Sequence, residues 1–313
     1  LAAKGKDKKI NTKKTAAYIV IIALIFITIA EGLGYDPIGF IEGWTGSSKT
    51  GGTADDVLTV NFIDVGQGDC IYISAGDDNM LIDCGEASAF SSVSEYLDEL
   101  GVTDIEYVVG THPHSDHMGG MSSVVTTYNV GEFIMPYLPD SDIPTTRYFE
   151  KFMNACAEKN LSITDAEVGR VINIGDATAE IIAPNSQKYN NTNNYSVGIL
   201  ITHGSNTFLF TGDAESSAEQ EMIDGGKLEH INVYKAGHHG SSTSSTAAFL
   251  EQISPDYAVV MCGDGNSYGH PHQEFLDRIS VYTDKIYRTD SYGNIVFTSD
   301  GTNLTVDTER GAA

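Results

Sequence analysis

Basic residues are scarce in this sequence: 18 lysines and arginines stand against 43 aspartates and glutamates, for a net charge of −25 over 313 residues. Six of the eighteen (Lys4, Lys6, Lys8, Lys9, Lys13 and Lys14) fall in the first fourteen positions, offset there only by Asp7. The tail therefore carries about +5 and the remainder about −30. Only twelve basic residues lie beyond the tail, too few to line a long phosphate-binding groove. The four cysteines (Cys70, Cys84, Cys156 and Cys262) form no CxxC pair. Cys70 and Cys84 fit neighbouring positions across a hairpin, where two buried thiols are the favoured reading over a disulfide. No internal repeat is present.

Long apolar runs are missing too, with one exception. Residues 16–30, AAYIVIIALIFITIA, carry no charge, and Gly32 to Tyr35 extend the run weakly past Glu31. The run is slightly short of the roughly 20 residues that cross a bilayer. It is apolar on every face and lies outside any domain, which argues against a buried core helix. A cleaved signal peptide, with small residues Thr28 and Ala30 before the cut, is one reading. The favoured one is a transmembrane signal anchor over 16–35, with the basic tail 1–15 in the cytoplasm. That places the protein in the cell membrane, single-pass, with an extracellular catalytic domain, or secretes it if the signal is cleaved. Residues 36–56, ending in Gly46-Ser-Ser-Lys-Thr-Gly-Gly-Thr53, read as a flexible linker.

From Val57 onward, short β-branched runs alternate with turn residues and helical periods. Strands are expected at 57–65, 70–75, 79–84, 105–111 and 131–136, with helices at 89–100 and 118–128. The second half predicts helices at 146–159, 214–223, 244–252 and 272–281. Strands are expected there at 178–183, 196–203, 206–211, 230–236, 256–261, 294–298 and 303–307. This interleaving predicts an α+β domain over 57–308, with sheets covered by helices.

Seven of the nine histidines cluster as His112/114/117, His238/239 and His270/272, each group just past an expected strand or in a glycine-rich turn. In Thr111-His-Pro-His-Ser-Asp-His-Met-Gly-Gly120, two imidazoles two residues apart can face one point. Asp116 and His117, opening a helix, can face a second. Imidazole and carboxylate are the ligands of divalent metals whose open positions do chemistry.

This string resembles the hallmark of the metallo-β-lactamase superfamily. The chain from Val57 to Thr308 resembles one branch of it, the hydrolase domain of the competence protein ComEC and its stand-alone relatives. The landmarks are Asp64-Val-Gly-Gln-Gly-Asp69, Leu81-Ile-Asp-Cys-Gly85, Asn193-Asn-Tyr-Ser196, Thr211-Gly-Asp-Ala214, Lys235-Ala-Gly-His-His-Gly-Ser241 and Tyr268-Gly-His-Pro-His272. The resemblance implies an αββα sandwich with two divalent metals, Zn2+ or Mn2+, at one edge between the sheets.

In that register His112, His114, Asp116, His117, Asp213 and His238 are the expected ligands. Asp213 would bridge the metals, although T-G-D alone is also an ordinary strand-to-helix cap. His238 is favoured as ligand, with His239 facing the substrate. Many relatives supply a further histidine before the bridging aspartate, and here only His203 lies in that interval, inside a strand pattern. Asn193, Asn194 and Ser196 lie where that ligand is expected, so water or an Asn or Ser oxygen would complete a site suited to manganese. Asp83 fits a carboxylate that orients the metal loop, and Asp64 and Asp69 are either of that kind or strand-end caps. Asp116, His239 and His270 are the candidate catalytic groups, with His239 or His270 as the acid.

The ComEC resemblance points to a phosphodiesterase or nuclease, with DNA disfavoured by the acidic surface. Alternatives are a cell-surface hydrolase similar to the phosphorylcholine esterase of cell walls, a β-lactamase or thioester hydrolase, and a non-catalytic metal-binding domain. A phosphodiester substrate and the membrane are the expected partners; no protein partner is expected.

Overall fold

Strand alternation builds the first layer. The computed structural model describes residues 57–311. The tail, anchor and linker expected over 1–56 lie outside the described residues, and among those described no helix is long and apolar enough to cross a membrane. Strands β1 (Leu58–Phe62), β2 (Ile71–Ala75) and β3 (Asp78–Ile82) form an antiparallel meander in which Val60 faces Ile73 and Ile73 faces Met80. Helix α1 (Phe90–Glu99) then buries Val93 and Leu97 and leads to β4 (Asp104–Val109).

The helix expected at 118–128 is broken in two, α2 (Ser115–Met118) and α3 (Met121–Thr127). At the break the Gly120 N–H donates to Gly85 O (3.1 Å) instead of along the helix, and a side chain on Gly120 would stand 2.7 Å from both the carbonyl oxygen and the sulfur of Cys84. Strand β5 (Asn129–Met135), helix α4 (Arg147–Lys159) and a short β6 (Ile163–Asp165) complete this half.

The second half opens with β7 (Val171–Ile174), β8 (Ala177–Ala183), β9 (Gly198–His203) and β10 (Asn206–Phe210), joined antiparallel. It continues through α5 (Ser216–Asp224), β11 (Val233–Lys235), α6 (Ala247–Ile253), β12 (Tyr257–Val260), α7 (Gln273–Ile279) and β13 (Ile286–Arg288). After the one-turn helix α8 (Thr289–Tyr292), strands β14 (Ile295–Ser299) and β15 (Leu304–Thr308) return to the first sheet. Strands β6, β7 and β13, of three or four residues, carry too little periodicity to be read from sequence.

The sheets run β15-β14-β1-β2-β3-β4-β5-β6 and β13-β12-β11-β10-β9-β8-β7. In each, an antiparallel set passes into a parallel one, at β3–β4 in the first and β10–β11 in the second. One apolar core fills the space between the sheets, with Phe62, Phe208, Phe210 and Phe297 among its members. A second core lies under α1, α3 and α4, and a third under α5, α6 and α7. This is the expected αββα sandwich. The loops that leave the carboxyl ends of β3, β4, β10, β11 and β12 meet at one edge, where open α/β sheets hold their ligands. All four cysteines are free and buried.

Candidate metal centre

Backbone conformation prepares this edge. Asp83 (φ 58°), His238 (φ 49°) and His239 (φ 55°) occupy the left-handed region, which costs a non-glycine residue on the order of 1–2 kcal/mol. Each is held there by its bonds. Asp83 Oδ1 accepts the Thr111 N–H (2.8 Å), and its Oδ2 accepts the Thr111 hydroxyl (2.6 Å) and lies 2.7 Å from His117 Nδ1. The amide of His238 donates to Gly212 O (3.1 Å), and Gly237 N–H donates to the Tyr234 hydroxyl (2.9 Å). Gly68, with φ 135°, lets the Asp64–Asp69 loop press against α2; a side chain there would stand 2.2 Å from the Asp116 carbonyl oxygen. Asp69 N–H donates to that same carbonyl (3.1 Å).

Four side-chain atoms of metal-binding kinds converge in this frame. Asp213 Oδ1 lies 3.3 Å from His117 Nε2 and 3.5 Å from His239 Nε2, while Asp116 Oδ2 lies 3.3 Å from His239 Nε2 and 4.0 Å from His117 Nε2. His117 Nε2, His239 Nε2 and Asp213 Oδ1 are buried without a hydrogen-bond partner, a costly arrangement for polar atoms left alone. Ligands about 2.0–2.1 Å from a tetrahedral ion stand roughly 3.3–3.4 Å apart, so the spacing fits a divalent cation. Both rings are turned inward through Nδ1: His117 toward Asp83 Oδ2, and His239 toward the Met261 carbonyl at 3.0 Å. Such outer partners fix the tautomer that offers Nε2.

The other oxygen of Asp213 faces a second group. His112 Nε2 is 3.7 Å from Asp213 Oδ2 and 3.0 Å from His114 Nδ1, and these three residues form another cluster able to hold an ion. Asp213 thus presents one oxygen to each group. His238 stands at the rim of the second: its Nε2 is 3.6 Å from Asp213 Oδ2 and its Nδ1 is 3.5 Å from Glu215 Oε1. The sequence expectation put His238 among the ligands and His239 toward substrate; in the structure His239 enters the four-atom group and the more exposed His238 borders the opening.

The residues expected near a missing histidine ligand sit behind the groups. Ser196 Oγ accepts the Asp213 N–H (3.0 Å) and lies 3.3 Å from His112 Nδ1. Asn194 Oδ1 accepts the Glu215 N–H and Asn193 Nδ2 donates to Glu215 Oε1. His203 is buried in β9, with Nδ1 2.8 Å from Ser299 Oγ. Asp64 is not brought to the site: it caps the Gly66 N–H and pairs with Arg310 at 2.9 Å. Its place before a glycine-rich turn explains the first contact.

Sequence reasoning missed Lys235 and left Asp69 between a loop-orienting carboxylate and a strand-end cap. Lys235 is fully buried, donates to Gly212 O (3.2 Å) and pairs with Asp69 Oδ2; Asp69 Oδ1 lies 3.3 Å from His239 Nδ1. A lysine inside the apolar run INVYKA was the available signal.

Electrostatics follow from burial and these neighbours. Burial drives the His112 imidazolium well down, with His117 adding to it. Burial also opposes charge on His239, but the carboxylates of Asp213 and Asp69 outweigh it and raise the group to about 9. His117 is raised well above its ordinary value, burial being overcome by Asp213 and Asp83. Burial disfavours the Asp213 carboxylate, yet His117 and His239 hold it well below the usual range. Burial, then His239 and His238, lower His270 to about 4, so it is neutral at physiological pH.

A cavity of about 430 Å³ opens over both groups, lined by His114, Asp116, Gln67, Tyr148, Tyr268 and His270; among the described residues no lysine or arginine lines it. A cavity of about 500 Å³ beside α1 and β15 is roomier, but it is lined by four carboxylates (Glu95, Glu99, Asp307 and Glu309) and no histidine.

The chain is 28% identical over 284 residues to Competence protein ComA of Neisseria gonorrhoeae, spanning 89% of this chain and 38% of that protein. It is 30% identical over 241 residues to Recombination protein 2 of Haemophilus influenzae, spanning 75% of this chain and 28% of that protein. The match thus takes in about a third of each relative's length, and it bears out the ComEC-type resemblance. The metallo-beta-lactamase fold protein YhfI from Bacillus subtilis superposes with a TM-score of 0.54 over 78% of this chain and 100% of that one; at 14% identity the likeness is one of fold. Residues 63–264 match the metallo-beta-lactamase superfamily, the same stretch that supplies the converging histidines and aspartates, and the chain belongs to that superfamily.

Proposed function

We propose that this protein is a hydrolase of phosphodiesters working with two divalent cations, one held by Asp116, His117, Asp213 and His239 and the other by His112, His114 and Asp213. The observation that carries the reading is the convergence of His117 Nε2, His239 Nε2 and Asp213 Oδ1, buried and without partners, on one point beside Asp116. Two such ions would supply Lewis acidity and a water of lowered pKa.

The remaining work falls to the chain's own groups. Asp83 and the Met261 carbonyl keep the tautomers of His117 and His239 fixed. Asp213 holds the two groups in register through its two oxygens. His270, neutral and lining the cavity, is not the protonated acid that the sequence expectation made it; it is placed to donate an N–H hydrogen bond to a substrate oxygen, and His238 borders the same opening. The mixed nitrogen and oxygen sets suit Mn2+ or Zn2+.

The substrate reading draws on relatives named for competence and recombination. The scarcity of basic residues supports short or single-stranded phosphodiesters over a duplex in a long groove. We propose further that residues 16–35 anchor the chain in the cell membrane, with the hydrolase on the outer side.

The test is metal-dependent turnover by the full chain. Metal content and hydrolysis of bis(p-nitrophenyl) phosphate, labelled single- and double-stranded DNA and phosphorylcholine esters are measured after loading with Mn2+ or Zn2+. His114→Ala and Asp213→Ala serve as controls. Diester cleavage that both substitutions abolish is expected. Metal-loaded protein that leaves every phosphodiester intact overturns the proposal, and turnover of phosphorylcholine esters alone moves the enzyme to the cell wall.

A further inference from the structure

Tyr268 is among the most exposed large hydrophobic residues of those described, at 64%, yet its loop is held in place. Its ring stacks on His270, with centroids 5.6 Å apart and planes within 18°. The loop that carries it is pinned from both sides. Asn266 Nδ2 donates to Gly263 O (2.9 Å) and His270 O (2.6 Å), Asn266 Oδ1 accepts the His270 N–H (3.0 Å), and His272 Nε2 lies 3.1 Å from Tyr268 O. One face of the ring is occupied by His270. The ring borders the cavity over the candidate metal groups.

Exposing an aromatic ring on a loop whose backbone is held by hydrogen bonds gives up both burial and freedom, and such a surface is prepared for a ligand. Among the described residues no lysine or arginine lines the cavity, so a bound molecule gains nothing there from either. Stacking is the interaction the wall offers. A flat ring with one open face suits a planar partner such as a nucleobase, whose stacking contributes substantially and with little regard to sequence. A quaternary ammonium is recognised by an aromatic cage, which a single open face does not provide.

We propose that Tyr268 is a specificity-determining residue: a stacking platform for a nucleobase of the substrate, next to the scissile phosphoryl group. This rests on the phosphodiesterase reading and names the class of ester group that the site selects. Because one base is taken per platform, the site accepts an unpaired strand or a nucleotide ester rather than a stacked duplex.

The experiment compares two diesters with the same leaving group, thymidine 5′-(p-nitrophenyl phosphate) and methyl p-nitrophenyl phosphate, on the metal-loaded full chain. Tyr268→Ala is expected to raise KM for the nucleoside ester about tenfold more than KM for the methyl ester, and Tyr268→Phe to restore the wild-type ratio. Binding is read separately by calorimetry with thymidine 5′-monophosphate and with phosphocholine, which does not depend on turnover. An unchanged KM ratio in Tyr268→Ala overturns the platform, as does phosphocholine binding that depends on Tyr268 while thymidine monophosphate binding does not. If neither diester is hydrolysed by the wild type, the phosphodiesterase reading falls. The platform then stands or falls on whether Tyr268→Ala weakens nucleotide binding.

Discussion

Replacing Lys235 by methionine isolates the energetics of the layer behind the candidate metal groups. The ammonium is fully buried, and its partners are Asp69 Oδ2 and the Gly212 carbonyl at 3.2 Å. Burial pushes the Asp69 carboxyl up, but Lys235 and His239 pull it below its ordinary value, so Asp69 enters the pair as a carboxylate. Without the lysine, Asp69 keeps His239 Nδ1 at 3.3 Å and His117 Nδ1 at 3.8 Å, poorer contacts than the one lost. Removing one partner of a buried pair costs about 3–5 kcal/mol, close to the roughly 4 kcal/mol of two unit charges 4 Å apart at an effective dielectric constant of 20. A domain of this size loses about 2–4 °C of melting temperature per kcal/mol, so a fall of roughly 6–20 °C is expected. Urea unfolding in chelator, with the m-value checked for constancy, reads the free energy. Lys235→Met combined with Asp69→Asn should recover part of the loss, with a coupling of about 1.5 kcal/mol or more. A single-variant loss below about 1 kcal/mol, or no recovery in the double variant, refutes a buried charged pair.

Three further expectations follow from the geometry. Gly68→Ala places a methyl group 2.2 Å from the Asp116 carbonyl at φ 135°, and should lower stability by about 2 kcal/mol or more in a chemical melt; a neutral result would mean that the loop does not press on α2. Asp83→Asn weakens the acceptor that orients His117, and metal affinity from a competition titration should drop roughly 10- to 100-fold. The third concerns pH. His239, at about 9 without a bound cation against 6.5 unfolded, contributes stability that is fully present below 6.5 and is lost as pH rises through about 9. The chelated protein should therefore weaken between pH 6.5 and 9 in thermal melts. Over the same window metal affinity should strengthen, since binding must displace that proton. Parallel pH trends for both forms would contradict the assignment.

The clustering of the candidate metal-binding residues was legible because their spacing is local. His112, His114, Asp116 and His117 share one loop, and Asp213 and His239 fall in strand-end motifs that retain their residue types. The order of His238 and His239 was not legible, because it depends on two successive left-handed residues that turn one ring inward and leave the other at the rim. Nor was the Asp69–Lys235 pair, formed across 166 positions between the two sheets. The main strands and helices followed from periodicity, whereas the Gly119–Gly120 break falls where Gly120 meets Gly85 and Cys84, far outside any helical window.

The four-atom group takes Asp116 and His117 from the first half of the chain and Asp213 and His239 from the second. Occupancy would therefore act as a rivet through both leaves of the sandwich. Neither half alone carries the full set, so a nicked or half-made chain has no complete grip on an ion, and acquiring that grip reports that the leaves have closed correctly. With tight binding, the free cation adds its own logarithmic increment to stability. The same device that would perform the chemistry would then serve as a checkpoint on folding, with chelation loosening the joint as well as stopping turnover.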